Sequence, residues 1–238
     1  MANEHIASAF DADLNGVQAE IMKMGGLVEN AIRLGMKALE TRDEDLAQQV
    51  RFEDVVIDQL EDSINERAAR IIALRAPTAI DLRLILSVIK ISSNLERIGD
   101  YAKNMAKRTE VLSQIAPISD SIGTLRRMTR TVEGMLKDAL DAYIHRDAAL
   151  AADVIDRDVD VDQMYNALFR ELLTFMMEDP RNITACLHLH FISKNTERMG
   201  DHVTSIAEQV IYLATGKQPD EARQKADQTS SIIQGSGR

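Results

Sequence analysis

Four carboxylates in each half of this chain have the type and spacing to do chemistry. Glu96 and Asp100 lie four residues apart, as do Glu197 and Asp201, and so do Asp54 and Asp58, and Asp158 and Asp162. On a helix each pair projects two carboxylates from one face. Carboxylates held within a few ångströms of one another repel, and they stay ionised only with cations among them. An oxygen-only set suits hard cations such as Mg²⁺ or Mn²⁺, or iron; zinc without His or Cys is a less usual occupant. A single acidic pair at helical spacing is most often a solvated face. Recurrence of both pairs sets these apart.

The later pair of each half sits in a seven-residue motif, Asn94-Leu95-Glu96-Arg97-Ile98-Gly99-Asp100, which returns as Asn195-Thr196-Glu197-Arg198-Met199-Gly200-Asp201. Arg97 and Arg198 offer a protein-supplied alternative to metal, neutralising part of the charge. Gly99 and Gly200 remove a side chain beside each set, leaving room for ligand, water or a neighbouring backbone.

The elements that must position these acids are helices. The chain has no Trp, four Tyr, five Phe, four Pro and eleven Met, a composition of aliphatic and Met packing with no long strand-like alternation. After a lead-in over residues 1–15, Val17, Ile21, Met24, Val28, Ile32 and Leu39 mark the buried stripe of a first helix reaching about Thr41, with Gly25, Gly26 and Gly35 predicting close approach of a neighbouring helix. Asp43 is a good N-cap for a second helix, in which Val50, Ile57, Ile64 and Ile71 recur every seven residues and which must end before Pro77. Thr78 and Asp81 have the form of a capping box opening a third helix, striped by Leu84, Val88, Ile91, Leu95 and Ile98 and running towards Leu112.

The pattern breaks around Ile115 to Ser119 and then begins again. A fourth helix spans Leu125 to Ile144, a fifth Asp147 to Met177, and a sixth opens at Pro180 and Asn182 and closes at Gly216 in an αL cap. Arg42-Asp43 and Arg146-Asp147 are 104 residues apart, Pro77 and Pro180 are 103 apart, and the acidic motifs are 101 apart. The expected architecture is all-α: two tandem antiparallel three-helix bundles related by an internal repeat, over residues 1–116 and 117–216, with 217–238 a disordered tail.

Two antiparallel helices joined by a short turn place residues at one height when their numbers average to the turn. Asp54 with Asp100, and Asp58 with Glu96, both centre on Pro77, while Asp158 with Asp201, and Asp162 with Glu197, centre just before Pro180. The register brings four acids level in each half. Height alone does not make them face one another.

Composition excludes several classes. A net charge of -10 argues against nucleic-acid binding, and the basic groups Lys103, Lys107, Arg108 and Arg126, Arg127, Arg130 read as solvated helix faces. The lone Cys186 reads as a small buried residue, and with no leader-like N-terminus or long apolar run the chain is expected to be soluble and cytoplasmic. No Glu has His three residues on, which disfavours di-iron redox chemistry, and there is no phosphate-cradling Gly-rich loop or Ser-His-Asp arrangement. His188 and His190 diverge on a helix, and His202, which stands where the first motif has Tyr101, is expected at the surface. No organic cofactor is expected.

The duplicated Asn-x-Glu-Arg-x-Gly-Asp, each following an acidic i, i+4 pair on the preceding helix, resembles the PhoU family of bacterial regulators of phosphate uptake and signalling over about residues 10–216. The resemblance implies a six-helix, non-catalytic repressor of the phosphate-starvation response, commonly dimeric. It implies partners in the ATPase subunit of the phosphate ABC transporter and the sensor histidine kinase of the phosphate regulon, and a place at the membrane only through them. It also implies metal ions on Asp54, Asp58, Glu96 and Asp100, and on Asp158, Asp162, Glu197 and Asp201. The reading from another class is a metal-dependent phosphoester hydrolase using the same acids as a two-metal site.

Overall fold

A computed structural model describes residues 2–118 and 121–219, with side chains from residue 12 onward. Among the described residues there are six α-helices and no strand: α1 (Ala2–Thr41), α2 (Glu44–Arg75), α3 (Ala79–Leu112), α4 (Ser121–His145), α5 (Ala148–Glu178) and α6 (Ile183–Thr215), with a 3₁₀ turn at Pro180–Asn182. None of these helices is long and apolar enough to cross a membrane.

Apolar periodicity explains the assembly. Val50, Ile57, Ile64 and Ile71 are all buried on α2, as are Leu84, Val88, Ile91, Leu95 and Ile98 on α3 and the six stripe residues of α1. Each set gives its helix one face to bury, and α1, α2 and α3 pack on one another, as do α4, α5 and α6. The repeats join mainly through α3 against α6, with α1 also touching α4, and one buried apolar cluster runs through both. Arg83 lies over the Tyr212 ring while Arg108 reaches His188, so α3 and α6 run antiparallel. The two acidic motifs therefore cross at one height.

Turn chemistry is duplicated too. Arg42 and Arg146 take left-handed φ values of 58° and 52°, and Asp43 and Asp147 then cap the next helix by accepting Leu46 N–H at 2.9 Å and Leu150 N–H at 3.0 Å. Gly216, at φ 78°, closes α6 with its N–H on the Tyr212 carbonyl.

Four expectations are corrected. The first helix begins at Ala2, so residues 2–15 are its opening turns and not a lead-in; Leu14 packs against the core and Asp13 pairs with Arg75 at 3.1 Å, which anchors turns that Asn15-Gly16 alone would weaken. Thr78 makes no side-chain cap; its hydroxyl instead donates to Asp81 Oδ2 at 2.9 Å. Pro180 opens a 3₁₀ turn, with α6 following at Ile183. A Cβ on Gly25 would come within 2.5 Å of Leu140 Cδ1 on α4, but one on Gly26 would meet open space, so only the former marks a close approach. Of the expected tail, residues from 220 on lie outside those described.

Candidate functional site

The α2–α3 hairpin sets the first group of acids and the α5–α6 hairpin the second. None of the eight is fully exposed: Asp54, Asp158, Asp162 and Glu197 are buried, and Asp58, Glu96, Asp100 and Asp201 are half-buried. A solvated acidic face would put them in water, so burial here has to be compensated.

In the first repeat Lys103 supplies the compensation. Its ammonium forms a short ion pair with Asp54 Oδ2 and stands 3.5 Å from Asp100 Oδ1, so the level pair Asp54 and Asp100 faces a shared cation. Arg97 adds weaker contacts, 3.5 Å to Glu96 and 3.8 Å to Asp100. The charges acting on Glu96 are Asp100, Arg97 and Glu61, while Asp58 acts on Asp54. In the second repeat Lys194 reaches Glu197 Oε2 at 2.9 Å, and Glu197 is acted on by both Asp201 and Asp162. Arg198, on the exposed side of α6, forms no ion pair with these acids.

Electrostatic strain remains. Burial first, and then Asp100, raise Glu96 to about 7, with Arg97 opposing. Burial likewise raises Asp54 against the pull of Lys103, and raises Glu197 against that of Lys194. The bond to Asp54 holds the Lys103 ammonium more firmly charged.

The motif glycines make room for the acids of the preceding helix. A Cβ on Gly200 would lie 2.8 Å from Asp158 Oδ1, and one on Gly99 would lie 3.4 Å from Asp54 Oδ1 and 3.1 Å from Ile57 Cδ1. The space expected for ligand, water or backbone is taken by the Asp158 carboxylate in the second repeat and by Ile57 together with the Asp54 carboxylate in the first.

A metal can be weighed against these donors. Asp54 Oδ1 is buried without a hydrogen-bond partner, and oxygen donors of this kind suit a hard divalent cation. Among the described residues, no three His, Cys, Asp or Glu side chains are gathered as a ready ligand set. Donor chemistry thus fits, while lysines stand among the acids.

Several placements escaped sequence reasoning. Lys103, half-buried, does more than line a solvated face, since it neutralises a buried acid; its spacing of three from Asp100 carried that signal. Lys194, three before Glu197, carried the same signal. Arg126 pairs with Glu40 at 3.3 Å across α1 and α4. His202 is half-buried between the motifs: its Nδ1 binds Asn94 Oδ1 at 2.8 Å and its ring lies 5.7 Å from that of Tyr101. His190 stacks near Tyr165 and Phe169, and Cys186 is buried as expected.

Fold and site together define a tandem-repeat helical protein with a recessed carboxylate set in each repeat and no membrane-spanning helix among the described residues. The profile described as the PhoU domain matches residues 21–109 and again 125–210, and the chain belongs to the PhoU family. It is 45% identical over 224 residues to the "Phosphate-specific transport system accessory protein PhoU homolog" of Caulobacter vibrioides (strain NA1000 / CB15N), covering 94% of this chain and 97% of that protein. The Zymomonas mobilis relative of the same name is 48% identical, covering 93% of each. Among solved structures, PhoU from Pseudomonas aeruginosa superposes with a TM-score of 0.85 at 43% identity, covering 87% of this chain and all of that one. The phosphate transport system regulatory protein PhoU from Streptococcus pneumoniae gives 0.80 at 29% identity, covering 89% of this chain and all of that one.

Proposed function

We propose that this chain regulates phosphate transport as a non-catalytic accessory protein, repressing the phosphate-starvation response by linking the ATPase subunit of a phosphate ABC transporter to a sensor histidine kinase. The observation that carries the reading is the match, over nearly the full length of both chains, to relatives named as accessory proteins of the phosphate-specific transport system. The protein works in the cytoplasm as a homodimer and reaches the membrane through its partners. In a strain deleted for the gene and grown in high phosphate, phosphate-starvation genes are expected to be derepressed; unchanged expression would overturn the reading.

The acids bind hard divalent ions under this reading, with Asp54, Asp58, Glu96 and Asp100 as donors in one repeat and Asp158, Asp162, Glu197 and Asp201 in the other. A bound ion supplies positive charge and coordination positions open to a partner's oxygen. Lys103 and Lys194 already supply part of that charge, so they compete with the ion for the same oxygens. Elemental analysis after reconstitution with Mg²⁺, Mn²⁺, iron or Zn²⁺ is expected to find ions lost from the Asp54→Asn and Asp158→Asn variants. Protein that emerges free of ions overturns the metal reading and leaves the compensation to the chain's own groups, Lys103, Arg97 and Lys194 among them.

A further inference from the structure

Acids outnumber Lys and Arg by 38 to 28 in this chain, yet the half-buried Arg108 on α3 forms no ion pair among the described residues. Its guanidinium lies 4.3 Å over the Phe191 ring, and its Nη1 makes a long contact of 3.4 Å to His188 Nδ1. Because guanidinium only donates, His188 Nδ1 is the accepting nitrogen and any ring proton sits on Nε2. The Arg108 Nε–H is buried without an acceptor. Leaving such a donor unsatisfied is costly.

On the α6 side of this cation the surface is largely apolar, while the exposed Lys107 lies beside it on α3. On α6, Ile183, Leu187 and Phe191 follow one another at one-turn spacing and are 42%, 42% and 47% exposed. Val111, one turn beyond Arg108 on α3, is 40% exposed and, by the antiparallel register of α3 and α6, falls between the levels of Ile183 and Leu187. Internal duplication provides a control. At the positions 101 residues away, Phe191 becomes Lys90 and Arg108 becomes the buried Gln209, while Leu187 becomes the similarly exposed Leu86. The unpaired cation on an exposed aromatic belongs to one surface only, so the shared framework of the repeats does not require it.

We propose that Arg108, Val111, Ile183, Leu187 and Phe191 form a docking surface for a protein segment that presents one carboxylate among apolar side chains. Arg and aromatic side chains at the centre of an apolar patch are the types that dominate binding energy, and a carboxylate accepts from guanidinium through two oxygens. Two cations, Arg108 and the exposed Lys107, beside apolar groups on a chain of net charge -10 suit an acid in a protein segment better than an anionic bilayer.

This assigns a surface to the adaptor reading above and rests on it for the partner's identity. The test measures binding of the full chain to two purified proteins of the same organism, the ATPase subunit of the phosphate transporter and the cytoplasmic part of the sensor kinase. Arg108→Glu is expected to weaken one of the two complexes by about 100-fold or more, with Arg108→Lys in between. Phe191→Ser, at an exposed position the fold does not need, is expected to weaken the same complex about 10-fold. Variants that bind both proteins within about twofold of the parent overturn the docking surface alone. A parent chain that binds neither protein overturns the adaptor reading, and the assignment falls with it. Loss of self-association or of vesicle binding in Arg108→Glu, with both complexes intact, overturns the assignment in favour of a contact between copies or with lipid.

Discussion

The two repeats place their lysines at opposite ends of the motif and on different acids, Lys103 on Asp54 and Asp100, Lys194 on Glu197. Lys103 comes one turn after Asp100, whereas Lys194 comes one turn before Glu197. Neither lysine has a counterpart: Thr204 stands where Lys103 would recur and binds the Asp201 carbonyl at 2.8 Å, and the exposed Ser93 stands where Lys194 would recur. What the repeats share is a carboxylate set recessed behind a glycine and in need of positive charge, while the source of that charge differs. The second set is also drier, with three of its four acids buried against one in the first.

Removing the lysines tests this contrast most severely. Lys103→Met leaves the buried Asp54 without its cation and is expected to cost about 2 to 4 kcal/mol in chemical denaturation, because an uncompensated buried charge remains. Lys194→Met strips Glu197 and is expected to cost a similar amount. Millimolar Mn²⁺ is expected to restore most of the Lys103→Met loss, since the half-buried Asp58, Glu96 and Asp100 let an ion enter. A loss that no divalent ion recovers would leave the acids with lysine as their only use.

The glycines come next. Ala at position 200 brings a methyl to 2.8 Å from Asp158 Oδ1 on a buried carboxylate, and about 1 to 3 kcal/mol of destabilisation is expected. At position 99 the nearest atom is the flexible end of Ile57 at 3.1 Å, so the helix propensity gained, about 1 kcal/mol, offsets the crowding and Gly99→Ala is expected to be near neutral. Equal losses at the two positions would mean that the second repeat is no tighter around its acid than the first.

Much of this site was legible in local spacing. The i, i+4 acids, the motif copies and the hairpin midpoints correctly join α2 to α3 and α5 to α6, because helical period and turn position are written in neighbouring residues. A search guided by duplication cannot find Lys103 and Lys194, since they occupy inequivalent positions. The contact of Asn94 with His202, and of Arg108 with Phe191, depends on how α3 meets α6, and no periodicity within one helix encodes that crossing. The opening of α1, expected as a lead-in, is met by a distant pair, Asp13 with Arg75, that its own local pattern does not show.

Titration separates the sets more gently. In metal-free protein Glu96 is raised to about 7 from an ordinary 4.5, chiefly by burial and next by Asp100. A carboxyl whose folded value is raised favours the folded state at low pH, and this contribution is lost as pH rises from about 4.5 through about 7. Glu96→Gln is therefore expected to be nearly neutral at pH 4 and to stabilise by about 1 to 2 kcal/mol at pH 8, less than the full shift implies because solvent still reaches a side chain that is 17% exposed. Thermal melts at the two pH values measure it. A gain independent of pH would trace the effect to packing instead of charge.

The smallest effect is expected at the two left-handed arginines. Each non-glycine residue at positive φ carries a steric cost of about 1 kcal/mol that Gly would relieve. Arg42, half-buried, repays it with short hydrogen bonds from its guanidinium to the Leu112 and Ile115 carbonyls, which tie the α1–α2 turn to the end of α3. Both turns close through the backbone, Asp43 N–H on the Ala38 carbonyl at 3.0 Å and Asp147 N–H on the Ala142 carbonyl at 2.9 Å, and the exposed Arg146 adds no such side-chain bond among the described residues. Arg146→Gly is therefore expected to stabilise by up to about 1 kcal/mol, while Arg42→Gly gains the same backbone relief, loses two charge-assisted bonds and is expected to destabilise by about 1 kcal/mol. Opposite signs in a denaturant titration would show that the same backbone-closed turn is reinforced by a side chain in the first repeat and not in the second; equal signs would erase that difference.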